Sequence, residues 1–322
     1  MTTAKEYFNK ILESNDYNKI LSTPSWIPTL SPPKGEFVDL SPTYQEVART
    51  INRSKLSASP CPYDQLSTII LKRCPILKTL LHRIIVKCWS SRSIPGVWKR
   101  GVTILIYKKG DTSDPENFRP ITLQPSWYKI FSSIYTSKLN KFLNENGYMS
   151  NNIQKGFKKN TNGVQEHSEL LQHIIHTAKT EQRSICITLL DLRNAFGSVE
   201  HFLIRHALRL HHVPKVFSDI FEDIYRRSFI SIAVNNQLSD PIKVQKGVLQ
   251  GDPLSPTLFN LCMNSFLLTI KQQEFQGVGF SWGGKNEREK RSWLQYADDA
   301  TALAPDIHSM QDRKSTRLNS SH

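Results

Sequence analysis

The sequence has no run of about 18 consecutive apolar residues, so nothing in it should cross a membrane as a helix. Residues 1–18 are polar and mixed in charge and lack the apolar centre of a signal peptide. Cysteine is scarce: Cys61, Cys74, Cys88, Cys186 and Cys262 are odd in number, and none stands in a C-x-x-C pair. A zinc ribbon and a secreted disulfide framework are therefore both disfavoured. There is no internal repeat and no long low-complexity tract. These absences read as an intracellular, soluble chain. Acids are also in short supply, 28 against 42 lysines and arginines, giving a net charge of +14. That surplus favours a polyanionic partner, nucleic acid or an anionic surface, without choosing between them. What is present is ordinary for a globular protein: 39% hydrophobic residues, 10% aromatic, and 322 residues, enough for one large domain or two smaller ones.

Residues 1–40 are polar, end in a Pro-rich stretch and read as an N-terminal linker or extension. Leu66, Ile69, Ile70, Leu77, Leu80, Leu81, Ile84 and Ile85 recur at helical spacing, predicting two packed helices divided at Pro75. Residues 102–107 form a short β-rich run before the charged turn Lys108-Lys109-Gly110-Asp111. A helix with Val164, Leu170, Leu171, Ile174, Ile175 and Ala178 on one face should start after Asn162-Gly163. Residues 185–190 are continuously apolar, which predicts a strand buried on both faces. Val216, Phe217, Ile220, Phe221 and Ile224 mark another amphipathic helix. Residues 230–234 and 241–244, around Asn235-Asn236, read as a hairpin. Residues 293–303 should form two strands around an acid-bearing turn. The expected class is α+β, with helices packed against a small antiparallel sheet.

Three acids stand where isolated acids are poorly tolerated. Asp191 ends the apolar run, and Asp298 and Asp299 interrupt residues 294–303. Burying a carboxylate is costly unless something offsets its desolvation. Two carboxylates 4 Å apart repel by ~4 kcal/mol at an effective dielectric of 20. A divalent cation removes that conflict, and all-oxygen ligands left open to substrate suit Mg²⁺. A pair of such ions can activate a hydroxyl and stabilise a leaving pyrophosphate with no Ser, His or Cys nucleophile. Taken singly, Asp191 reads better as a helix N-cap before Asn194-Ala195-Phe196, and Asp298-Asp299 as an ordinary hairpin turn.

The segments together are more specific. Ile187-Thr188-Leu189-Leu190-Asp191-Leu192-Arg193-Asn194-Ala195-Phe196 resembles the first palm motif of reverse transcriptases. Gly247-Val248-Leu249-Gln250-Gly251-Asp252-Pro253-Leu254-Ser255-Pro256 resembles the second, and Tyr296-Ala297-Asp298-Asp299 the third. They follow the family's order, with gaps of 59 and 48 residues between Asp191, Gln250 and Asp298. Upstream, Lys108-Lys109-Gly110-Asp111, residues 114–121 and Gln154-Lys155-Gly156-Phe157 resemble its fingers motifs. The likeness covers about residues 41–310 and is closest to the enzymes of non-LTR retrotransposons.

That resemblance implies a right-hand polymerase: fingers mainly over 41–185, palm mainly over 186–311, with a fingers insertion at about 213–245. It implies RNA-directed DNA polymerase activity with two Mg²⁺ ions, Mn²⁺ serving as a substitute. The partners would be an RNA template, a DNA primer and dNTPs, in the nucleus or cytoplasm. By the same resemblance, Asp191, Asp298 and Asp299 are catalytic and bind metal, with the Leu192 carbonyl as a further ligand. Lys108 or Lys109, Arg119, Ala195, Phe196, Gln250 and Gly251 would bind the nucleotide, Phe196 as a steric gate against the 2′-hydroxyl. Gly197 departs from the family, which often has an acid after that aromatic residue. The family also continues past its third motif with a lysine-bearing segment and a thumb, and neither is expected after Asp306. Residues 312–322 read as a non-native tail, which carries three of the basic residues and one acid, so the surplus charge belongs to the rest. An inactive truncated fragment that only binds nucleic acid is the competing reading. An intron-type enzyme with a maturase role would need a downstream splicing module, and none is expected. Retrotransposon relatives often carry an endonuclease on the same polyprotein.

His211-His212 reads as an exposed helix end and His173 and His176 as a solvated helix edge. Lys99, Arg100, Lys155, Lys158 and Lys159 read as phosphate contacts along a template path or, almost equally well, as a generic solvated face. Trp98 and Trp127 are expected in the core.

Overall fold

The computed structural model describes residues 2–16, 19–54, 61–64, 66–149, 152–158, 161–235, 237–283 and 288–311. In chain order the elements begin with α1 (Thr2–Leu12), α2 (Tyr44–Arg53), α3 (Thr68–Arg73), α4 (Pro75–Ser91), β1 (Arg100–Tyr107), β2 (Phe118–Leu123) and α5 (Ser126–Glu145). They continue with α6 (Gly163–Thr180), β3 (Cys186–Leu190), α7 (Ala195–Ser198), α8 (His201–Leu210), α9 (Lys215–Arg226), β4 (Phe229–Val234), β5 (Gln237–Leu238) and β6 (Ile242–Lys243). The last are α10 (Ser255–Phe275), β7 (Phe280–Trp282), β8 (Glu289–Arg291), β9 (Trp293–Tyr296) and β10 (Asp299–Ala304). The class is α+β, as expected. Two compact units emerge: Met1–Ser22, Leu30–Tyr148 and Phe196–Cys262 form one, and Thr23–Thr29, Met149–Ala195 and Met263–His322 the other.

In the first unit the chain obeys its local signals. Thr43 and Glu46 close a capping box at the start of α2. Pro75 stands at the first turn of α4, where a missing N–H costs nothing. The N-terminal extension is not featureless. Ala4, Phe8 and Leu12 recur every fourth residue along α1 and are all buried. The Leu12 carbonyl accepts the Gln245 N–H at 3.0 Å. The sheet of this unit runs β2-β1-β4-β5, with β6 also on β4. It is mixed: β1 pairs β2 antiparallel but β4 in parallel. The expected hairpin is present, its return strand broken into β5 and β6 where the Ser239 hydroxyl accepts the Ile232 N–H at 2.9 Å. Asn236 lies outside the described residues. Trp89, Tyr135 and Phe217 pack edge to face at the centre of the helical layer.

The second unit is built on the antiparallel sheet β3-β10-β9. Alternation along the strands divides its core in two. Leu294 and Leu303 pack with Ile174 and Ala178 of α6 and with Phe280. Trp293, Ala300 and Ala302 pack with Ile153, Leu267 and Ile270. One expectation fails here. β3 is not buried on both faces: Leu189 is 77% exposed, and Ile187 and Leu190 are exposed too. The reason is position, because β3 is the edge strand of a three-stranded sheet. An apolar run cannot distinguish an edge from a centre.

Candidate active site

Antiparallel pairing brings two of the acid-bearing segments to one end of the second unit's sheet. The ladder of β3 and β10 ends with Leu190 opposite Ala300. One further step sets Asp191 opposite Asp299. On the other side of β10, Asp299 faces Tyr296, which leaves Ala297-Asp298 as a two-residue loop. Asp191 and Asp299 are exposed and Asp298 is half-buried, so burial of Asp191 is less than its apolar run implied. Proximity still has its effect. Partial burial, then the Asp298 and Asp191 carboxylates, push the Asp299 carboxyl above its ordinary range.

The donors at this end are all oxygen, open to solvent and mutually repelling, which fits a hard divalent cation completed by water and phosphate oxygens. Among the described residues no three His, Cys, Asp or Glu side chains form a ready cage by themselves. Leu192 directly follows Asp191 and is exposed.

The loop between β9 and β10 is held from behind. Ala297 is buried and has φ 55°, the left-handed region that L-residues avoid. Its N–H donates to Gln154 Oε1 at 2.8 Å, and its carbonyl accepts Gln154 Nε2 at 3.1 Å and Gln295 Nε2 at 2.8 Å. A His167 ring nitrogen lies 2.9 Å from the Ile153 carbonyl and 3.0 Å from that of Gln295. Burial pushes the His167 imidazole below its usual range.

The remaining candidates, Ala195 apart, belong to the first unit. Ile106 pairs with Arg119 across the β1-β2 hairpin, and the Lys108 N–H continues the ladder to the Asn117 carbonyl at 2.9 Å. Side chains alternate along a strand, so Lys108 continues the face of Ile106 and Arg119, while Lys109 lies past the ladder in a bend. Lys108 and Arg119 are both exposed. Gln250 is tied to β2 by its carbonyl, which accepts the Thr122 N–H at 2.7 Å. Gly251 has φ +114°, and an added Cβ would stand 2.6 Å from the Thr122 carbonyl oxygen. The backbone at this glycine therefore lies close against β2. Phe196 is half-buried and stacks flat on Phe259, centroids 4.8 Å apart and planes 8° apart. Its carbonyl accepts the Val248 N–H at 2.8 Å, tying the first motif's end to the second motif. Ala195 opens α7 and is buried.

Sequence reasoning gave no role to Asp252, which is buried. Its carboxylate accepts the Tyr128 hydroxyl at 2.6 Å, the Ser132 hydroxyl and the Leu254 N–H at 3.0 Å. This pins the loop before α10 to α5. Tyr128 and Ser132 are four apart on one helix, a pair of hydroxyls on an otherwise apolar face, and that was the available signal. In the sequence Gln154 carries a signal only as part of a fingers-like motif, and Gln295 and His167 carry none.

Other expectations need correction. His211 is fully buried, not exposed: its Nδ1 lies 2.7 Å from the Ala207 carbonyl, and burial pushes its pKa down to about 4. The chain turns at His212, with φ 49°, and tucks His211 inward while His212 stays exposed. Lys99 is not an open surface cation. It is paired with buried Asp223 at 2.8 Å, and Asp223 also accepts the Ile94 N–H at 2.7 Å. Lys155 is paired with Glu166 at 2.6 Å. Trp98 is buried but Trp127 only partly so. His173 and His176 are exposed as expected, as is Arg100; Lys158 is half-buried. Lys159 and residues 312–322 lie outside the described residues. Among the described residues no helix is long and apolar enough to cross a membrane.

The family model for reverse transcriptase (RNA-dependent DNA polymerase) matches residues 106–318. Over 209 residues the chain is 32% identical to a retrovirus-related Pol polyprotein from the type-1 retrotransposable element R2 of Nasonia vitripennis, covering 65% of this chain and 19% of the relative. It is 27% identical over 289 residues to the Pol polyprotein of the type-2 element R2DM of Drosophila melanogaster, covering 85% and 26%. The chain thus spans about a fifth to a quarter of the length of these curated relatives. Among solved structures, it is similar to telomerase from Candida tropicalis in complex with a fragment of telomeric RNA, at 13% identity and a TM-score of 0.46, covering 75% of this chain and 41% of that one.

Proposed function

Because the chain belongs to the reverse transcriptase (RNA-dependent DNA polymerase) family, we propose that it supplies the polymerase centre that adds deoxynucleotides to a DNA primer on an RNA template. The observation that carries this is the meeting of Asp191 with Asp298-Asp299 at one open sheet end, where partial burial and then the other two acids raise the Asp299 carboxyl.

In this reading Asp191 and Asp298, with Asp299 beside them and the Leu192 carbonyl in support, hold two Mg²⁺ ions, for which Mn²⁺ substitutes. Bound there, such ions would lower the pKa of the primer 3′-hydroxyl and neutralise charge on the departing pyrophosphate. The protein's own part is positioning. Arg119 offers a guanidinium fork to the triphosphate, and Lys108, on the same hairpin face, adds a second positive contact. Gln250 meets the nucleotide, with Gly251 holding its backbone close to β2. Phe196, stiffened by Phe259, lies beneath the sugar and excludes a 2′-hydroxyl, with Ala195 beside it. The fingers are assigned mainly to 41–185, the palm mainly to 186–311 with the insertion at about 213–245, and the cellular site to the nucleus or cytoplasm.

The test is primer extension on an RNA template with dNTPs and Mg²⁺, beside Asp191→Ala and Asp298→Ala. Extension by the parent chain that both variants lose, with RNA binding retained, is the expected result. A folded parent chain that binds RNA but extends nothing would instead favour the inactive nucleic-acid-binding fragment.

A further inference from the structure

The structure assigns to Gln154 a role of its own: it is a positioning residue that sets the Asp298–Asp299 turn by gripping both backbone groups of Ala297. This inference rests on the polymerase reading above for what the turn does, but not for how the turn is held.

The two-residue loop between β9 and β10 asks for a left-handed residue but lacks the Gly, Asn or Asp at its first position that would take that conformation freely. Its first residue is alanine, and an L-residue in the left-handed region costs roughly 1–2 kcal/mol. Ala297 is 5% exposed. Its N–H and carbonyl are out of reach of bulk water and need partners. A side-chain amide carries one acceptor and paired donors on a single rigid plane, and only Asn and Gln have one. Gln154 applies that plane edge-on to Ala297, accepting at 2.8 Å and donating at 3.1 Å.

Gln154 is itself fixed in place. The Gly156 N–H donates to the same Oε1 at 2.7 Å. Its neighbours continue the sheet past β9: the Gln295 N–H donates to the Ile153 carbonyl at 3.0 Å, and the Lys155 N–H to the Gln295 carbonyl at 2.9 Å. Gly156 permits the approach, since a Cβ there would stand 2.3 Å from the Ala297 nitrogen. Gln295 adds a third hydrogen bond to Ala297, and the Trp293 indole holds Gln295 in turn at 3.1 Å. A buried glutamine serving only the core would not need to converge on the one residue that precedes the acids. Here the grip ends one residue from Asp298 and two from Asp299. Their oxygens inherit its precision, and groups that orient metal-binding acids matter even when they touch no metal.

The experiment uses the full chain with Gln154→Met, which removes donor and acceptor, and Gln154→Glu, which keeps an acceptor and loses the donor. Three readouts are amide hydrogen exchange of the 295–299 segment, Mn²⁺ binding by paramagnetic resonance, and thermal melting. In the parent chain the Ala297 amide should exchange at least roughly 100-fold more slowly than an unstructured amide. In both variants that protection should fall and Mn²⁺ affinity should drop about tenfold or more, while the fold still melts cooperatively. A purely structural glutamine would lower the melting temperature and leave the Mn²⁺ affinity of the folded chain unchanged. Mn²⁺ affinity within twofold of the parent in folded variants overturns the assignment. Should both variants unfold, the parent chain decides alone: an unprotected Ala297 amide overturns it and a protected one supports it. None of these readouts needs polymerase activity. Loss of extension in the parent chain with normal exchange and Mn²⁺ binding would therefore count against the proposed function and leave the role of Gln154 standing.

Discussion

Gly251→Ala should be the most informative single methyl in this protein. The ideal Cβ falls 2.6 Å from the Thr122 carbonyl oxygen, about 0.8 Å inside an ordinary contact at 3.4 Å. That oxygen is backbone within a paired strand and cannot swing aside. Overpacking of this kind costs roughly 1–3 kcal/mol. At φ +114° the backbone is also in a region open almost only to glycine, which adds roughly 1–3 kcal/mol for alanine. Against this, the unfolded chain loses freedom, returning roughly 0.4–1 kcal/mol. The net expectation is a loss of about 2–4 kcal/mol. The Gln250–Thr122 hydrogen bond at 2.7 Å lies one residue away and should be strained with it. Urea denaturation measures the stability, and a dNTP titration in the primer-extension assay measures the site. Two controls in the same unit separate the contributions. Gly96→Ala meets nothing within 4 Å and should be neutral or slightly stabilising. Gly110→Ala has φ +94° but meets only the Asn117 side chain, so it reports mainly the backbone strain. A loss at Gly251 below about 0.5 kcal/mol, or no greater than at Gly110, would refute the argument that contact with β2 is what demands glycine there.

The acids give a second prediction. The Asp299 carboxyl is raised in the folded chain, so its contribution to stability is present at low pH and is lost as pH rises through the folded value. Asp299→Asn should therefore raise the melting temperature at pH 7 without divalent ions and shrink the further rise that Mg²⁺ brings; an unchanged Mg²⁺ increment would count against the metal reading. Two histidines act in the opposite direction. Burial lowers His201 and His211 to about 4 from 6.5. Each contributes stability above pH 6.5 that is lost as pH falls through about 4, on the order of 3 kcal/mol apiece at 1.36 kcal/mol per pKa unit. Urea midpoints should fall steeply between pH 6.5 and 4, and substituting both by Gln should flatten that fall; equal slopes would exclude them as its source. Finally, the ladder reaches Lys108 through its N–H to Asn117, on the hairpin face that Ile106 and Arg119 share, and Lys109 lies beyond it. Lys108→Ala should raise the KM for dNTP about tenfold, the worth of one charge-assisted contact, and Lys109→Ala by less than twofold. Equal effects would mean that the pleat does not choose between them.

The acids of the candidate site were legible as residues because their chemistry conflicts with their neighbours. Asp298-Asp299 interrupts an otherwise strand-like stretch, and Asp191 closes an apolar run. Helices with a full apolar stripe were legible for a related reason: α9 buries Val216, Phe217, Ile220, Phe221 and Ile224, since a 3.6-residue period has no other use. Exposure was not legible. The apolar residues of β3 looked like a central strand, and the order β3-β10-β9 puts them at an edge. His211 looked like a solvated end, and a single left-handed residue after it turned it inward.

By itself, then, the sequence determined composition, charge, the helical stripes and which residue types carry metal chemistry, because these depend on spacing along one segment. Tertiary structure decided what depends on distant segments meeting. Asp299 feels Asp191 only because β3 and β10 pair. Lys108 comes to the hairpin face of Arg119 only through the β1-β2 ladder. Ala297 has both backbone groups satisfied by one side chain only because Gln154, 143 residues earlier, meets it in space. Hydrogen bonds are made where atoms meet in space, and local periodicity carries no record of the partner.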